Sequence, residues 1–207
     1  MLTVLLATSN LHKLGEFRAI LTDLPMKLVS LKDIHLDFEV EETGSTFAEN
    51  AELKARAYAH KSHMLTLADD SGLEIDALNG APGVYSARYL GSETSYEERF
   101  RVILERMKDL PLEKRSARFC CVIALADPSG TIRTVEGVVE GAIADRPRGS
   151  HGFGYDPIFL LPELGKTFAE LGPEYKNRIS HRARAARLAR MLLEDWPVDS
   201  CANHEHQ

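Results

Sequence analysis

The chain begins with a strand, a loop and a helix in one short unit, TVLLATSNLHKLGEFRAIL at residues 3–21. The apolar run Thr3–Ala7, which lies between polar residues, predicts a buried strand. Asn10 can cap a helix, because the apolar residues that follow it recur at helical spacing. These apolar residues are Leu14, Phe17, Ile20 and Leu21. The loop between strand and helix therefore presents the free N–H groups of a helix N-terminus, which attract anions.

Similar signals recur along the rest of the chain. Short apolar runs predict further strands at residues 27–31, 64–68 and 158–160. Capping residues predict helices that begin after Thr46, Ser95 and Ser180. Two long strands, Arg118–Ala126 and Thr131–Glu140, are joined by the turn sequence Asp127–Gly130, which is typical of a hairpin. A chain that mixes strand–helix units with a long hairpin is predicted to form an α/β fold with a mixed sheet and flanking helices.

The composition excludes several classes of protein. A chain of 207 residues is long enough for one sizeable core, or for two lobes that share one sheet. The net charge of −6 disfavours non-specific binding to nucleic acid or to an anionic membrane surface. No apolar run approaches the ~20 residues that span a bilayer, and no secretory signal is recognisable, so a cytoplasmic protein is expected. The three cysteines form neither a disulfide framework nor a zinc-binding spacing.

An acidic pair follows the strand predicted at residues 64–68. Asp69 and Asp70 precede Ser71 and Gly72, and these residue types are also typical of a turn. Two adjacent carboxylates at the end of a strand repel each other unless a cation lies nearby. Oxygen ligands of this kind suit Mg²⁺, which usually takes one or two carboxylates. The pair is therefore either a turn or a magnesium site.

Several basic residues occupy positions where a cation gains little from the helix. Lys13 lies in the first turn of the first helix, and His181 and Arg182 lie in the first turn of the last one, where the helix dipole disfavours positive charge. Such residues are candidates for binding phosphate or another ligand. For Lys13 and Lys176 the alternative is a solvated position on the surface, and for Lys54 it is a lysine whose apolar stem lies on a packed helix face while its charge reaches water. The Gly-x-x-x-x-Gly-Lys pattern of P-loop enzymes is absent around Lys13.

The run GFGYDP at residues 152–157 combines glycines, aromatic rings and a carboxylate. Glycines allow the backbone to approach a ligand closely. Phe153 can stack on a flat base, and Asp156 can accept hydrogen bonds from the N–H edge of that base. The alternative is an aromatic-rich turn without a ligand.

Six segments, in this order, resemble the Ham1/RdgB family of nucleotide pyrophosphatases. They are TSNLHK at 8–13, EETGSTFAENAELKA at 41–55, DDSGL at 69–73, GAPGVYSARY at 80–89, FGYDP at 153–157 and SHR at 180–182. The resemblance extends from about Leu2 to the helix that ends near Glu194. One departure is Ser9, where many members carry glycine; Thr8 and Asn10 on either side of it match the family.

The resemblance implies hydrolysis of the non-standard purine nucleotides dITP, ITP and XTP to a monophosphate and pyrophosphate, with Mg²⁺ as cofactor. It also implies an elongated sheet, two lobes with the active cleft between them, and a homodimer. Residues 1–196 are expected to form a single domain of this type, and residues 197–207 a disordered tail. A purine nucleotide-binding sensor without turnover is the alternative function, although converging carboxylates favour the enzyme.

The resemblance also implies roles for individual residues. Asp70 is expected to be the catalytic base and a metal ligand, with Glu42 as the second ligand and Glu41 as the alternative. His181 and Arg182, with the FGYD segment, are expected to read the 6-keto edge of the purine, because keto oxygens accept hydrogen bonds where the amino group of adenine donates them. The residues expected to bind substrate are Thr8, Ser9, Asn10, Leu11, His12, Lys13, Lys54, Ser71, Phe153, Gly154, Tyr155, Asp156, Lys176, His181 and Arg182.

Overall fold

A computed structural model describes residues 2–197. Within these residues, the strands form a sheet in the order β2-β1-β3-β4-β5-β6-β7. The strands are β1 Thr3–Leu6, β2 Lys27–Ser30, β3 Leu65–Ile75, β4 Ser116–Ala126, β5 Ile132–Ile143, β6 Phe159–Leu161 and β7 Lys166–Thr167. Strand β1 is parallel to β2 and β3, whereas β6 is antiparallel to β5 and β7. The sheet is therefore mixed, as the sequence predicted.

Within the described residues, four of the helices begin where the sequence predicted them. They are α1 Leu11–Ile20, α2 Phe47–Ser62, α3 Tyr96–Met107, α4 Pro173–Ile179 and α5 His181–Glu194. The Asn10 side chain accepts hydrogen bonds from the N–H groups of His12 and Lys13 at the start of α1. Thr46 and Glu49 form a reciprocal capping box at the start of α2. The α/β fold with flanking helices is confirmed, although α4 and the short strand β7 were not predicted.

The prediction of a short strand before the acidic pair is wrong. Strand β3 continues from Leu65 to Ile75, so Asp69 and Asp70 lie in the middle of an extended segment and the turn interpretation is excluded. The strand continues because Leu73 and Ile75 beyond the acidic pair are fully buried. Since successive side chains of a strand point to opposite faces, the two carboxylates lie in different surroundings.

The described residues fall into two compact units. The first unit comprises residues 2–70, 121–137 and 182–197, and the second comprises 71–120 and 138–181. The core of the first unit includes Val4, Leu6, Phe17, Leu67, Ile123 and Ala186. The core of the second unit includes Ile75, Ile103, Phe119, Phe159 and Phe168. Each unit thus has an apolar core of its own.

Three further expectations concern the C-terminal tail, membrane-spanning helices and the active cleft. The tail predicted at residues 197–207 lies outside the described residues, apart from Pro197. Within the described part of the chain, no helix is long and apolar enough to cross a membrane. The active cleft expected between two lobes stays a prediction.

Candidate active site

The two carboxylates in the middle of β3 are both buried but have different partners. The Nζ atom of Lys13 lies 2.9 Å from Asp69 Oδ2, and Arg182 Nη2 lies 3.7 Å from the same oxygen. Asp70 instead receives a hydrogen bond from Asn50 Nδ2 to its Oδ2 atom at 3.1 Å. Its Oδ1 atom lies 3.6 Å from the Nζ atom of Lys54. One carboxylate is therefore paired with two cations, and the other with an amide and a more distant ammonium.

These partners shift the pKa values of the two carboxyl groups in opposite directions. Burial raises the pKa of Asp69, but the charges of Lys13 and Arg182 outweigh it and lower the pKa to about 2. At Asp70 the effect of burial prevails over the charge of Lys54, so the pKa is raised. Asp69 is therefore a fixed negative charge at neutral pH. Asp70 has the higher proton affinity of the two, as a general base requires.

Lys54 connects Asp70 with Glu42. Its Nζ atom lies 2.5 Å from Glu42 Oε1, and Glu42 is half-buried whereas Glu41 is exposed. Burial lowers the pKa of Lys54, but the charges of Asp70, Asp69 and Glu42 outweigh it and raise the pKa. A cation is thus accommodated between the carboxylates of Glu42 and Asp70. This geometry favours Glu42 over Glu41 as the partner of Asp70.

The same two carboxylates fit a magnesium ion. Mg²⁺ is usually bound by one or two carboxylates together with substrate phosphates and several waters. Within residues 2–197 no group of three or more histidine, cysteine, aspartate or glutamate residues is arranged to hold a metal. By the chemistry of their donor atoms, Glu42 and Asp70 are the one or two carboxylates that Mg²⁺ usually takes from a protein.

Arg182 is, after Lys13 and Lys54, the third cation beside these carboxylates. It is buried, with Nη1 2.5 Å from Glu16 Oε2, and its guanidinium lies 5.9 Å from the centre of the Phe17 ring. Burial lowers the pKa of Arg182, but the charges of Asp69 and Glu16 outweigh it and raise the pKa. We use the name carboxylate cluster for Glu16, Glu42, Asp69 and Asp70 with Lys13, Lys54 and Arg182. The role of Arg182 in reading a purine stays a prediction.

The loop before α1 is held in shape by its own side chains. Thr8 Oγ1 accepts a hydrogen bond from the Asn10 N–H at 3.2 Å, and Asn10 Oδ1 accepts those of His12 and Lys13 at 3.0 and 3.2 Å. Ser9, Leu11 and His12 are exposed. The cap fixes the first turn of α1, from which Lys13 reaches Asp69. Lys13 thus links the loop to the carboxylate cluster.

A cavity of about 600 Å³ adjoins this loop in the first unit. Its walls include Thr8, Ser9, Leu36, Phe38 and Tyr58. None of the carboxylates of the carboxylate cluster lines it. Any reaction that these four carboxylates perform therefore takes place outside this cavity. The position of the candidate site is inferred from the clustered charges and not from the volume of the cavity.

In the second unit, a buried ion pair supports the GFGYDP run. Asp156 Oδ2 accepts the N–H of Phe153 at 2.9 Å and lies 2.5 Å from the Nζ atom of Lys176. The same Nζ atom lies 4.7 Å from the centre of the Phe153 ring. Gly152 has φ +76°, and a Cβ atom there would lie 2.0 Å from Asp156 Oδ2. The close approach of backbone and carboxylate therefore requires glycine. We call Phe153, Asp156 and Lys176 the Asp156 group.

Two other residues expected to bind substrate have structural contacts in the second unit. The Tyr155 hydroxyl donates to the Ser86 carbonyl at 2.9 Å, and burial raises the pKa of Tyr155, so the phenol stays neutral. The His181 ring stacks on Phe119, with ring centres 4.6 Å apart and an angle of 14° between the planes. Gly154 adopts φ +62°, and Ser71 is half-buried in β3. Tyr155 thus fixes the conformation of the run that contains Phe153.

Comparison with known proteins identifies the family. The model of the Ham1 family matches residues 4–191. This chain belongs to the Ham1 family. The dITP/XTP pyrophosphatase of Exiguobacterium sibiricum is 50% identical over 182 residues, which cover 88% of this chain and 92% of that protein. The dITP/XTP pyrophosphatase of Geobacillus kaustophilus is 48% identical over 193 residues, which cover 93% of each chain.

A solved Ham1 structure agrees with the fold. The structure of a HAM1 protein from Coxiella burnetii matches with a TM-score of 0.86 at 45% sequence identity, covering 94% of this chain and 100% of that chain. The mixed sheet and its flanking helices are therefore those of the Ham1 family. Some of the Ham1-like segments contribute residues to the carboxylate cluster in the first unit or to the Asp156 group in the second; the segment at 80–89 contributes to neither.

Sequence reasoning on the Ham1 segments did not assign roles to Asn50, Gly44 or Glu16. Asn50 is fully buried, and it lies four residues before Lys54 on the same face of α2. That spacing was a usable signal. If Lys54 faces the carboxylates, the Asn50 amide on the same helix face is also close enough to bind one of them. Glu16 lies three residues after Lys13 in α1, but nothing in the sequence indicated that its partner would be Arg182.

Proposed function

We propose that this protein hydrolyses the purine nucleoside triphosphates dITP, ITP and XTP to the monophosphate and pyrophosphate, and thereby removes non-standard nucleotides from the cellular pool. Relatives named dITP/XTP pyrophosphatase, at 48% and 50% identity over most of the chain, support this function. The structural observation that supports hydrolysis is Asp70, a buried carboxyl group with a raised pKa beside Glu42 and Lys54.

The carboxylate cluster would supply the chemistry. Asp70 would accept the proton of a water molecule as that water attacks the α-phosphorus, and pyrophosphate would leave. Lys13, Lys54 and the N-terminus of α1 would hold the outer phosphates. Glu42 and Asp70 would bind Mg²⁺, which when bound would neutralise the negative charge that develops on the phosphates.

The Asp156 group would bind the base. The Phe153 ring would stack on the purine, and Asp156 and Lys176 would contact the edge of the base. His181 and Arg182 would donate hydrogen bonds to the 6-keto oxygen, which hypoxanthine and xanthine have and adenine lacks. Thr8–His12, Ser71, Gly154 and Tyr155 complete the proposed contacts. The Ham1 family resemblance also supports a homodimer that acts in the cytoplasm.

A nucleotide panel tests the proposed function. ITP, dITP, XTP, ATP and GTP are incubated with the purified protein, with and without Mg²⁺, and pyrophosphate and orthophosphate are measured separately. We expect pyrophosphate from ITP, dITP and XTP only when Mg²⁺ is present. Orthophosphate with a nucleoside diphosphate would move the attack to the γ-phosphorus. Tight binding of ITP without any product would establish the sensor instead.

A further inference from the structure

Asn50 forms two hydrogen bonds that join separate parts of the first unit. It is fully buried, on the face of α2 that Lys54 shares. Its Oδ1 atom accepts the N–H of Gly44 at 2.8 Å, and its Nδ2 atom donates to Asp70 Oδ2 at 3.1 Å. The amide therefore connects the segment before α2, which also carries Glu42, to the carboxyl group proposed as the base.

The hydrogen bond from Gly44 determines which end of the amide faces Asp70. A backbone N–H can only donate, so it requires the carbonyl oxygen of Asn50 on its side. A flipped amide would place a donor against the N–H of Gly44 and an acceptor against a carboxylate. The Asn50 side chain is thus held with its N–H₂ group towards Asp70 Oδ2.

The segment around Gly44 is itself held against the start of α2. Glu49 Oε2 accepts the N–H of Ser45 at 2.6 Å and that of Thr46 at 3.2 Å. A Cβ atom on Gly44 would lie 2.7 Å from Asn50 Oδ1 and 2.7 Å from Glu49 Cβ. Glycine at position 44 is therefore what allows the backbone to approach the Asn50 amide closely enough to orient it.

We propose that Asn50 is a positioning residue for Asp70, oriented by the backbone of Gly44. By donating to Oδ2, Asn50 fixes the rotation of the carboxyl group and turns Oδ1 towards Lys54 and the Glu42 side of the carboxylate cluster. Asp70 then keeps one orientation, both as a base and as a metal ligand. This inference rests on the proposed function, in which Asp70 has those two roles.

A carboxylate that is ordered in advance binds a cation more tightly, because binding no longer has to restrict its rotation. Loss of a residue that orients a metal ligand typically costs 10–100-fold in metal affinity or activity. Asn50→Ala is therefore expected to lower kcat by about 10–100-fold and to weaken Mn²⁺ binding by about 10-fold. The KM for ITP should change little, because Asn50 is not among the residues proposed to bind the nucleotide.

The experiment compares five variants with the wild-type protein, one of them Asp70→Asn as the reference for the double variant. Asn50→Ala removes the amide, and Gly44→Ala displaces it without changing its chemistry. Tyr58→Phe is the matched control, because it removes a partly buried hydrogen bond from the same helix, to the Phe38 carbonyl and not to Asp70. The double variant Asn50→Ala/Asp70→Asn tests whether Asn50 acts through Asp70. The measurements are kcat and KM for ITP, Mn²⁺ affinity by electron paramagnetic resonance without nucleotide, and urea unfolding.

We expect Asn50→Ala and Gly44→Ala to lose kcat and Mn²⁺ affinity, and Tyr58→Phe to keep both at wild-type values. In the Asp70→Asn background, Asn50→Ala should cause no further loss. Wild-type kcat and Mn²⁺ affinity in Asn50→Ala would overturn the inference, as would an equal loss with and without Asp70. If Asn50→Ala does not fold, Gly44→Ala decides by the same two measurements. Absence of pyrophosphate release by the wild-type protein would instead refute the proposed function.

Discussion

The carboxylate cluster and the Asp156 group both bury lysine against carboxylate, but their charge balance differs. In the carboxylate cluster, the carboxylates of Glu16, Glu42, Asp69 and Asp70 face the three cations Lys13, Lys54 and Arg182. In the Asp156 group, a single carboxylate faces a single lysine beside an aromatic ring. Negative charge is thus in excess among the named side chains of the first unit and balanced in those of the second.

This difference corresponds to what each region is proposed to bind. The extra negative charge of the carboxylate cluster can be compensated by a bound divalent cation. With that cation bound, the neighbouring lysines can attract phosphates. A balanced pair adds no net charge next to a neutral purine, and it still presents directional hydrogen-bonding groups. Metal and phosphate are therefore expected to depend on the first unit, and stacking of the base on the second.

The largest effect is expected at Asp70. Asp70→Asn keeps the shape of the side chain but removes the base, so kcat for ITP should fall by about 10²–10⁴-fold. The circular dichroism spectrum and the urea midpoint should stay close to those of the wild-type protein. The substitution keeps the side-chain shape and removes one negative charge from a cluster in which negative charge is in excess. Near wild-type turnover would transfer the role of the base to Asp69.

The next largest effect is expected from breaking the balanced pair. Asp156→Ala leaves Lys176 buried without its carboxylate and should lower the free energy of unfolding by about 3–5 kcal/mol in urea titrations. The double variant Asp156→Ala/Lys176→Met removes both charges and should recover most of that loss. If the double variant is as unstable as Asp156→Ala alone, packing and not charge balance holds the Asp156 group together.

Arg182 tests which interactions govern the choice of base. If its guanidinium donates to the keto oxygen, Arg182→Ala should lower the ratio of kcat/KM for ITP to that for ATP by about 10–100-fold, the value of a hydrogen bond from a charged donor. Steady-state assays on both nucleotides give this ratio. A proportional loss on ITP and ATP would mean that Arg182 acts through its contacts with Asp69 and Glu16 and does not read the base.

The smallest effect is expected in the acid stability of the first unit. The pKa of Asp69 is lowered from 3.8 to about 2, so its contribution to stability is present above the unfolded value and is lost as pH falls towards 2. At neutral pH, Asp69→Asn should be less stable than the wild-type protein by about 2 kcal/mol. Urea titrations between neutral pH and pH 2 should show this difference vanish; a constant difference would mean that Asp69 is not held ionised by Lys13 and Arg182.

Much of the fold was predictable because its signals are local. The Asn10 cap, the Thr46–Glu49 capping box and the Asp127–Gly130 turn are each encoded within a few residues, and each occurs as predicted. Strand β3 was misjudged because Asp, Ser and Gly favour turns locally. In the folded chain β3 lies between β1 and β4, and these neighbouring strands outweigh that local preference.

The site was predictable only as far as its residues carry a recognisable pattern. The sequence indicated Lys13, Lys54 and the acidic pair as binding residues, but not that Lys13 would pair with Asp69 and Lys54 with Glu42. These pairings join residues far apart in the chain, and their geometry depends on the packing of whole helices against the sheet. Asn50 was missed for the same reason, since its role depends on the contact between α2 and β3.

Cys121 gives the carboxylate cluster a built-in reporter. Its thiol is fully buried in β4, 4.0 Å from Asp69 Oδ2, and burial raises its pKa, so very little reactive thiolate forms in the folded state. An alkylating reagent can therefore modify Cys121 only during excursions that expose this part of β4. The rate of Cys121 modification therefore measures how often the interior beside Asp69 opens. A nucleotide whose binding makes these openings rarer will lower that rate.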